Sequence, residues 1–200
     1  MIVLKTVQEF KAWRITKNNS IGFIPTLGAL HDGHFSLITQ STLSCDITVV
    51  SIFLNPTQFA PNEDLDAYPN TLDSDKKKLE QLNIDVLFLP SKDEMYKTAP
   101  DVKVPSSDLF NKLEGKSRPH FFYGVTTIVS KLFNVIQPTH TFFGEKDAQQ
   151  LRIIQQMIHA MNYSITLISC PIIRDQNGLA LSSRNQYLTS EEQKTASIIY

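Results

Sequence analysis

The stretch GFIPTLGALHDGH, Gly22 to His34, decides how this chain reads. It opens as an apolar run of strand character and closes as a turn carrying two histidines. Three of the seven glycines fall in it, at 22, 28 and 33. Glycine at 28 and 33 lets a backbone approach a ligand closely or take dihedrals barred to other residues. HFSLITQSTLS then has helical character. Gly33 is expected to begin that helix, whose first amides would face an anion. His31 and His34, three apart, share one face of the helix start. Each can donate to a phosphate oxygen, more strongly when protonated. No glycine-rich run ends in Lys-Ser/Thr, so this is not a P-loop. Two plainer readings compete. One is a metal site, although a catalytic zinc needs a third ligand and no suitable cluster is evident. The other is a helix cap. The position between a buried strand and a helix favours nucleotide phosphate.

Outward from this stretch, strand-like and helix-like segments alternate. TVQEFKAWRITKN reads as an amphipathic helix with Val7, Phe10 and Trp13/Arg14 near one face. ITVVSIFL is the clearest central strand. A polar loop from Asn55 to Asn70 follows, long enough to act as a gate. TLDSDKKKLEQLN reads as helix and DVLFLP as strand. GVTTIVSKLFNVIQP is a helix with Val125, Ile128, Val129, Leu132, Phe133 and Ile136 in one stripe, closed by Pro138. THTFFG is strand. KDAQQLRIIQQMIHAMN is helix, with Leu151, Ile154, Ile158 and Met161 on one face, and SITLISCP is strand. The alternation predicts an α/β fold: a Rossmann-like parallel sheet with helices on both faces. Ligands of such sheets bind beyond the carboxyl ends of the strands.

Three further strand ends and loops carry polar residues. After ITVVSIFL come Asn55 and Gln58, amides that donate and accept together and suit a ligand bearing hydroxyl and carboxylate groups. Ordinary Asn-Pro turn chemistry is the competing reading. After THTFFG come Gly144, Glu145, Lys146, Asp147 and, one turn on, Gln150. A lysine there reaches a phosphate at the sheet edge, and Asp147 can accept from a ribose. A solvated helix start explains the same residues. In LSSRNQYL, two hydroxyls and Arg184 can bracket a polyphosphate, or form a capped turn. Thr189 and Glu192 have capping-box spacing before a last helical run that reaches Tyr200.

The formal net charge of −1 gives no global case for nucleic-acid binding. The N-terminus lacks signal-peptide features, and no apolar run approaches membrane-spanning length. Cys45 and Cys170 form no CxxC motif and read as reduced thiols of a cytoplasmic protein. His140 and His159 belong to no motif and read as structural.

PTLGALHDGH, SIFLNPTQF, DLDAYPNTLDSD, FFGEKDAQQL and LSSRNQYL, in this order, resemble the pantothenate synthetase family over essentially the whole chain. The His-x-Gly-His element alone marks only the wider nucleotidyltransferase superfamily; the NPTQF and GEKD blocks make the match specific. The resemblance implies ATP-dependent condensation of pantoate with β-alanine through pantoyl adenylate, with ATP and Mg²⁺ required. It implies an ATP-binding turn over Leu27, Gly28, Ala29, Leu30, His31, Asp32, Gly33 and His34. His34, His31 and Lys146 would be catalytic. Gly144, Glu145, Lys146 and Asp147 would contact ATP, Ile173 would meet adenine, and Leu181, Ser182, Ser183 and Arg184 would close over the triphosphate. Gln58 and Gln150 would hold pantoate, with Asn55 beside them and Gln58 also meeting β-alanine. Asp75 matches an acidic position near magnesium. The family is usually a homodimer through its N-terminal domain.

Three positions depart from the family pattern. Leu27 stands for the usual Met, a volume-conserving change. Asn70 replaces the usual Arg. In RPHFFYGV, His120 occupies the usual Gly position and Phe121 the usual His position, while Arg118 is retained. Residues 1–172 are expected to form the nucleotidyltransferase domain, and 173–200 the linker and beginning of a C-terminal lid. A chain ending at Tyr200 is then expected to turn over weakly. The rival readings are another His-x-Gly-His adenylyltransferase and a catalytically impaired nucleotide-binding fragment.

Overall fold

Among the described residues six strands lie side by side in one sheet, every neighbouring pair parallel. They are β1 (Ile2–Leu4), β2 (Ile21–Thr26), β3 (Ile47–Ile52), β4 (Val86–Phe88), β5 (His140–Gly144) and β6 (Thr166–Cys170), in the order β1-β4-β3-β2-β5-β6. The computed structural model describes residues 1–97, 104 and 107–199. The helices are α1 (Val7–Arg14), α2 (Asp32–Ser44), α3 (Leu72–Gln81), α4 (Lys92–Tyr96), α5 (Glu114–Ser117), α6 (Phe121–Ile136), α7 (Ala148–Ala160) and α8 (Ser190–Ala196). None of them is long and apolar enough to cross a membrane. Cys45 and Cys170 are free thiols.

The period of two along the strands divides the core. Phe23 and Val49 face one side, where Phe10 of α1, Leu132 and Phe133 of α6 and Ile154 of α7 pack. Ile24 and Val50 face the other, against Leu37 and Ile38 of α2 and Leu79 of α3. Helices therefore cover both faces, and the expected α/β architecture is the one that forms.

The sheet order reverses at β2. The chain moves from β2 to β3 and β4 on one side, then returns to place β5 on the other. β2 pairs with β3 along its full length, but its pairing with β5 covers Gly22–His140 and Phe23–Thr141. The backbone parity explains the difference. Ile21 C=O accepts from Thr139 N–H, and Thr26 C=O accepts from Phe53 N–H. Odd residues of β2 thus present their backbone groups to β5 and even ones to β3. Pro25 is odd and has no N–H, so the ladder toward β5 cannot continue through it. The two strands end in a crevice, the topological switch point where ligands of such sheets bind.

Some elements differ from the sequence reading. α1 ends at Arg14, four residues early: beyond it the backbone closes tighter turns, Thr16 N–H to the Trp13 carbonyl and Lys17 N–H to the Arg14 carbonyl, and the Arg14 guanidinium donates to the carbonyls of Lys17 and Ile136. α7 ends at Ala160, so Met161 lies 40% exposed while Met157 fills the core. β1 and α4 have no strong sequence signal; each is short. Thr189 and Glu192 do form a capping box for α8, and the chain then tightens into a 3-10 turn over Ser197–Ile199. Tyr200 lies outside the described residues.

α6 settles directly on the turn after β3. A Cβ built on Gly124 would lie 2.3 Å from the Thr57 carbonyl oxygen and 2.7 Å from the Gln58 nitrogen. Both are backbone atoms, which cannot swing away. Gly124→Ala is therefore expected to destabilise the chain by about 2 kcal/mol, read as a lower denaturation midpoint at unchanged slope.

Candidate active site

The loop after β2 is held from outside. Gly28 and Ala29 have φ of +90° and +52°, both in the left-handed region. For Ala29 that conformation is strained by about 1 kcal/mol. Asp75 of α3, almost fully buried, offsets it. Its carboxylate accepts from the N–H groups of Ala29 (2.9 Å) and Leu30 (3.0 Å) and from the Thr71 hydroxyl (3.0 Å). Successive amides of this kind form an anion cradle. Here the anion is Asp75 itself, not a phosphate. Further ties run from Ser183 Oγ to the Ala29 carbonyl (2.8 Å) and from Lys78 Nζ to the Leu30 carbonyl (3.3 Å).

The sequence reading expected Asp75 near magnesium; in the fold three donors meet its oxygens, and it is not among the residues lining the crevice. The amides of Ala29 and Leu30 are likewise taken. Among the described residues no cluster of three His, Cys, Asp or Glu side chains could hold a metal ion.

His31 caps α2. Its Nδ1 accepts from Gly33 N–H (3.1 Å), while His34 Nδ1 accepts from His31 N–H (3.3 Å). The two rings lie 4.2 Å apart between centroids. A ring nitrogen that accepts carries no proton, so each neutral ring must carry its proton on Nε2. The cap and the anion site are thus one arrangement: Nδ1 closes the helix, and Nε2–H is left for a ligand. Gly33 serves the first half, since a Cβ there would meet His31 Cε1 at 2.8 Å. Burial, reinforced by His31 and Lys146, pulls the His34 pKa down to about 3. Burial and then Lys146 also lower His31. Both rings are neutral donors at neutral pH, not the cations that would donate most strongly.

Both rings line a cavity of about 710 Å³ at the end of β2. Leu27 contributes to its near wall; Gly28, Ala29, Leu30, Asp32 and Gly33 are not among its lining residues. Across the crevice, at the end of β5, stand Gly144, Lys146, Asp147 and Gln150, while Glu145 does not line it. Lys146 belongs to a 3-10 turn over Glu145–Asp147, and the α-helix proper begins at Ala148. Its ammonium lies 3.6 Å from the Asp147 carboxylate at the surface. No atom would obstruct a Cβ on Gly144 within 4 Å, so the backbone there is open to close approach.

The third wall is the turn after β3. Asn55 is fully buried and Gln58 nearly so. The Asn55 amide is committed internally: Oδ1 accepts from the Tyr96 hydroxyl (2.6 Å), and Nδ2 donates to Gln58 Oε1 (3.0 Å) and the Gly124 carbonyl (3.1 Å). Asn55 therefore supports Gln58 instead of offering its amide to a ligand.

Ser182, Ser183 and Arg184 close the remaining side, and Leu181 stays outside the wall. Arg184 is not free. It forms a two-pronged pair with Asp64, 2.9 Å on each prong, and the Tyr187 hydroxyl also donates to Asp64 (3.0 Å). Hydrogen bonding from Arg184 holds the Asp64 carboxyl below its usual range. The adjacent Glu63 pairs with Arg118, another wall residue, which also donates to the Gln58 carbonyl (3.1 Å). Arg118 stacks on Phe121, 4.1 Å from the ring centroid, at the position where histidine was expected. His120 Nε2 lies 3.7 Å from Glu63, so it joins this carboxylate and not the cavity wall. Ile173 does not line the cavity, and its carbonyl accepts from Leu181 N–H (2.9 Å). The sequence reading overlooked Glu63, Asp64 and Tyr96. The acidic pair in NED was a visible signal for two of them; nothing marked Tyr96.

A model of the pantoate-beta-alanine ligase family matches residues 2–200. Pantothenate synthetase of Thermotoga neapolitana is 46% identical over the whole chain, which spans 72% of that relative. The Acetivibrio thermocellus pantothenate synthetase is 48% identical with the same coverage. Among solved structures, pantothenate synthetase from Thermus thermophilus superposes with a TM-score of 0.96 at 38% identity, covering all of this chain and 72% of that one. The pantoate-beta-alanine ligase from Francisella tularensis, solved with beta-gamma ATP and beta-alanine, gives 0.95 at 43% identity, covering all of this chain and 78% of that one.

Two outcomes follow from the wall's construction. Asp75→Ala strands two buried amides and is expected to cost about 3 kcal/mol of unfolding free energy, measured by chemical denaturation. For His34, the unfolded ring binds a proton near pH 6.5 and the folded one only near 3. Stability is therefore full above pH 6.5 and falls as pH drops toward 3, by up to about 1.4 kcal/mol per unit. His34→Gln should flatten that slope in denaturation midpoints taken across the window.

Proposed function

The chain belongs to the pantoate–β-alanine ligase family, and on that premise we propose how its crevice joins pantoate to β-alanine with ATP. In the first step a pantoate carboxylate oxygen attacks the α-phosphorus. The bond from that phosphorus to the bridging oxygen breaks, and pyrophosphate leaves. In the second, the β-alanine amine attacks the acyl carbon of pantoyl adenylate, loses a proton, and AMP departs. The first step brings two anions together, so positioned donors and fixed geometry carry it.

His34 and His31 offer Nε2–H to phosphate oxygens, and Lys146 supplies the full positive charge that two neutral rings lack. The turn Leu27–His34 shapes one side of the ATP site and Gly144–Asp147 the other. Gln58 and Gln150 hold pantoate, and Gln58 also meets β-alanine. Ser182, Ser183 and Arg184 close over the triphosphate, with Arg184 exchanging Asp64 for phosphate. An Ile173 contact with adenine rests on the family pattern alone. Magnesium would travel with the nucleotide, held by phosphate oxygens and water.

The same reading makes residues 1–172 the nucleotide-binding domain and 173–200 the linker and start of a smaller lid domain. Family membership supports that division and a homodimer; the two free thiols suit the cytoplasm. The observation that carries the reading is the convergence of His31, His34, Lys146, Gln58 and Gln150 on one crevice at the switch point.

Pyrophosphate exchange into ATP tests it. Exchange that depends on pantoate is the expected outcome. ATP binding without exchange would favour a nucleotide-binding fragment, and exchange driven only by a phosphorylated acid would favour another adenylyltransferase. His34→Ala should lower pantoate-dependent exchange by about 10²- to 10³-fold. Unchanged exchange would remove His34 from the mechanism.

A further inference from the structure

Two backbone groups and two hydroxyls together set which way the Asn55 amide faces. Thr57 N–H can only donate and lies 3.4 Å from Oδ1; the Gly124 carbonyl can only accept and lies 3.1 Å from Nδ2. A flipped amide would set N–H against N–H and oxygen against oxygen in a fully buried place. The Tyr96 hydroxyl gives the shortest bond to Oδ1, at 2.6 Å, and Thr57 Oγ1 adds another at 3.0 Å. With Oδ1 so engaged, Asn55 Nδ2 faces Gln58 Oε1 at 3.0 Å. That fixes the second amide in turn. Gln58 has its oxygen directed to Asn55, and what remains for the cavity is its NH₂.

We propose that Tyr96 is a positioning residue: through Asn55 it holds the Gln58 amide so that Gln58 offers the site only its NH₂ donors, and so selects an acceptor oxygen on the acid substrate. The inference rests on the reading of Gln58 as a pantoate contact. Tyr96 itself does not line the cavity. It ends α4, forty-one residues from Asn55, with its ring beside Phe53 and under the Lys131 ammonium at 5.5 Å. These contacts hold the ring in place without the hydroxyl. Tyr96→Phe should therefore keep the packing and remove the hydroxyl's bonds to Asn55 Oδ1 and Thr57 Oγ1. With the shortest bond to Asn55 gone, the Asn55–Gln58 pair is held less firmly, and Gln58 can turn its oxygen toward the substrate, where it repels a carboxylate.

The test is Tyr96→Phe in the full chain, with pantoate and ATP affinities measured side by side by calorimetry. Pantoate binding is expected to weaken about tenfold, with ATP binding unchanged and the melting temperature lowered by only about 2–4 °C. Equal pantoate affinity, or parallel losses for both ligands, would overturn the proposal. A second readout needs no substrate: the Gln58 side-chain NH₂ signals in nitrogen–proton correlation spectra, assigned by their loss in Gln58→Glu. These should shift and broaden in Tyr96→Phe while strand amides stay put; unmoved signals would refute the lock. If wild-type protein fails to bind pantoate while the Gln58 signals respond, the pantoate reading falls and the lock stands.

Discussion

A single buried carboxylate organises the face where ligands would bind. Asp75 reaches from α3 to the loop after β2 and takes the amides of Ala29 and Leu30. That contact holds two successive residues in the left-handed region. The turned backbone then delivers His31 to the start of α2, where its ring becomes the cap and positions the N–H that meets His34. The Ala29 carbonyl, turned by the same geometry, receives the Ser183 hydroxyl from the far end of the chain. A solvated amide at this corner would leave all three contacts without a fixed frame.

The polar groups of the crevice are divided between those already satisfied and those held ready. Asp75, Asn55 and the Nδ1 atoms of both histidines are committed to the protein. Lys146, Gln150 and the Nε2–H groups face the cavity. The guanidiniums of Arg118 and Arg184 stand between these cases, each paired with a carboxylate of the loop that follows β3. A triphosphate entering the crevice competes with Glu63 and Asp64 for these two arginines. Because those pairs are partly exposed, each is worth little to stability and can be exchanged without great loss.

Much of the architecture was legible because sheet and helix periodicity is local. The apolar runs at 21–25 and 47–52 and the stripe from Val125 to Ile136 needed no distant partner to be recognised. The candidate site was legible where glycine, histidine and lysine cluster at strand ends. Residue roles were less so. Asp75 read as a metal neighbour, and Asn55 as a substrate contact, because a sequence shows which groups can bond and not which bonds are already made. Arg184 read as a free clamp for the same reason, its partner lying 120 residues away.

By itself the sequence determined the alternation of elements, the parallel sheet and the family, since each depends on residue type and spacing over short windows. Tertiary structure alone decided that Tyr96 stands behind Asn55, that Asp75 fills the anion cradle, and that both histidines are neutral Nε2–H donors. Those outcomes depend on burial and on partners far apart in the chain. Hydrogen-bond capacity and proton affinity are set by what surrounds a side chain, and only the fold brings the surroundings together.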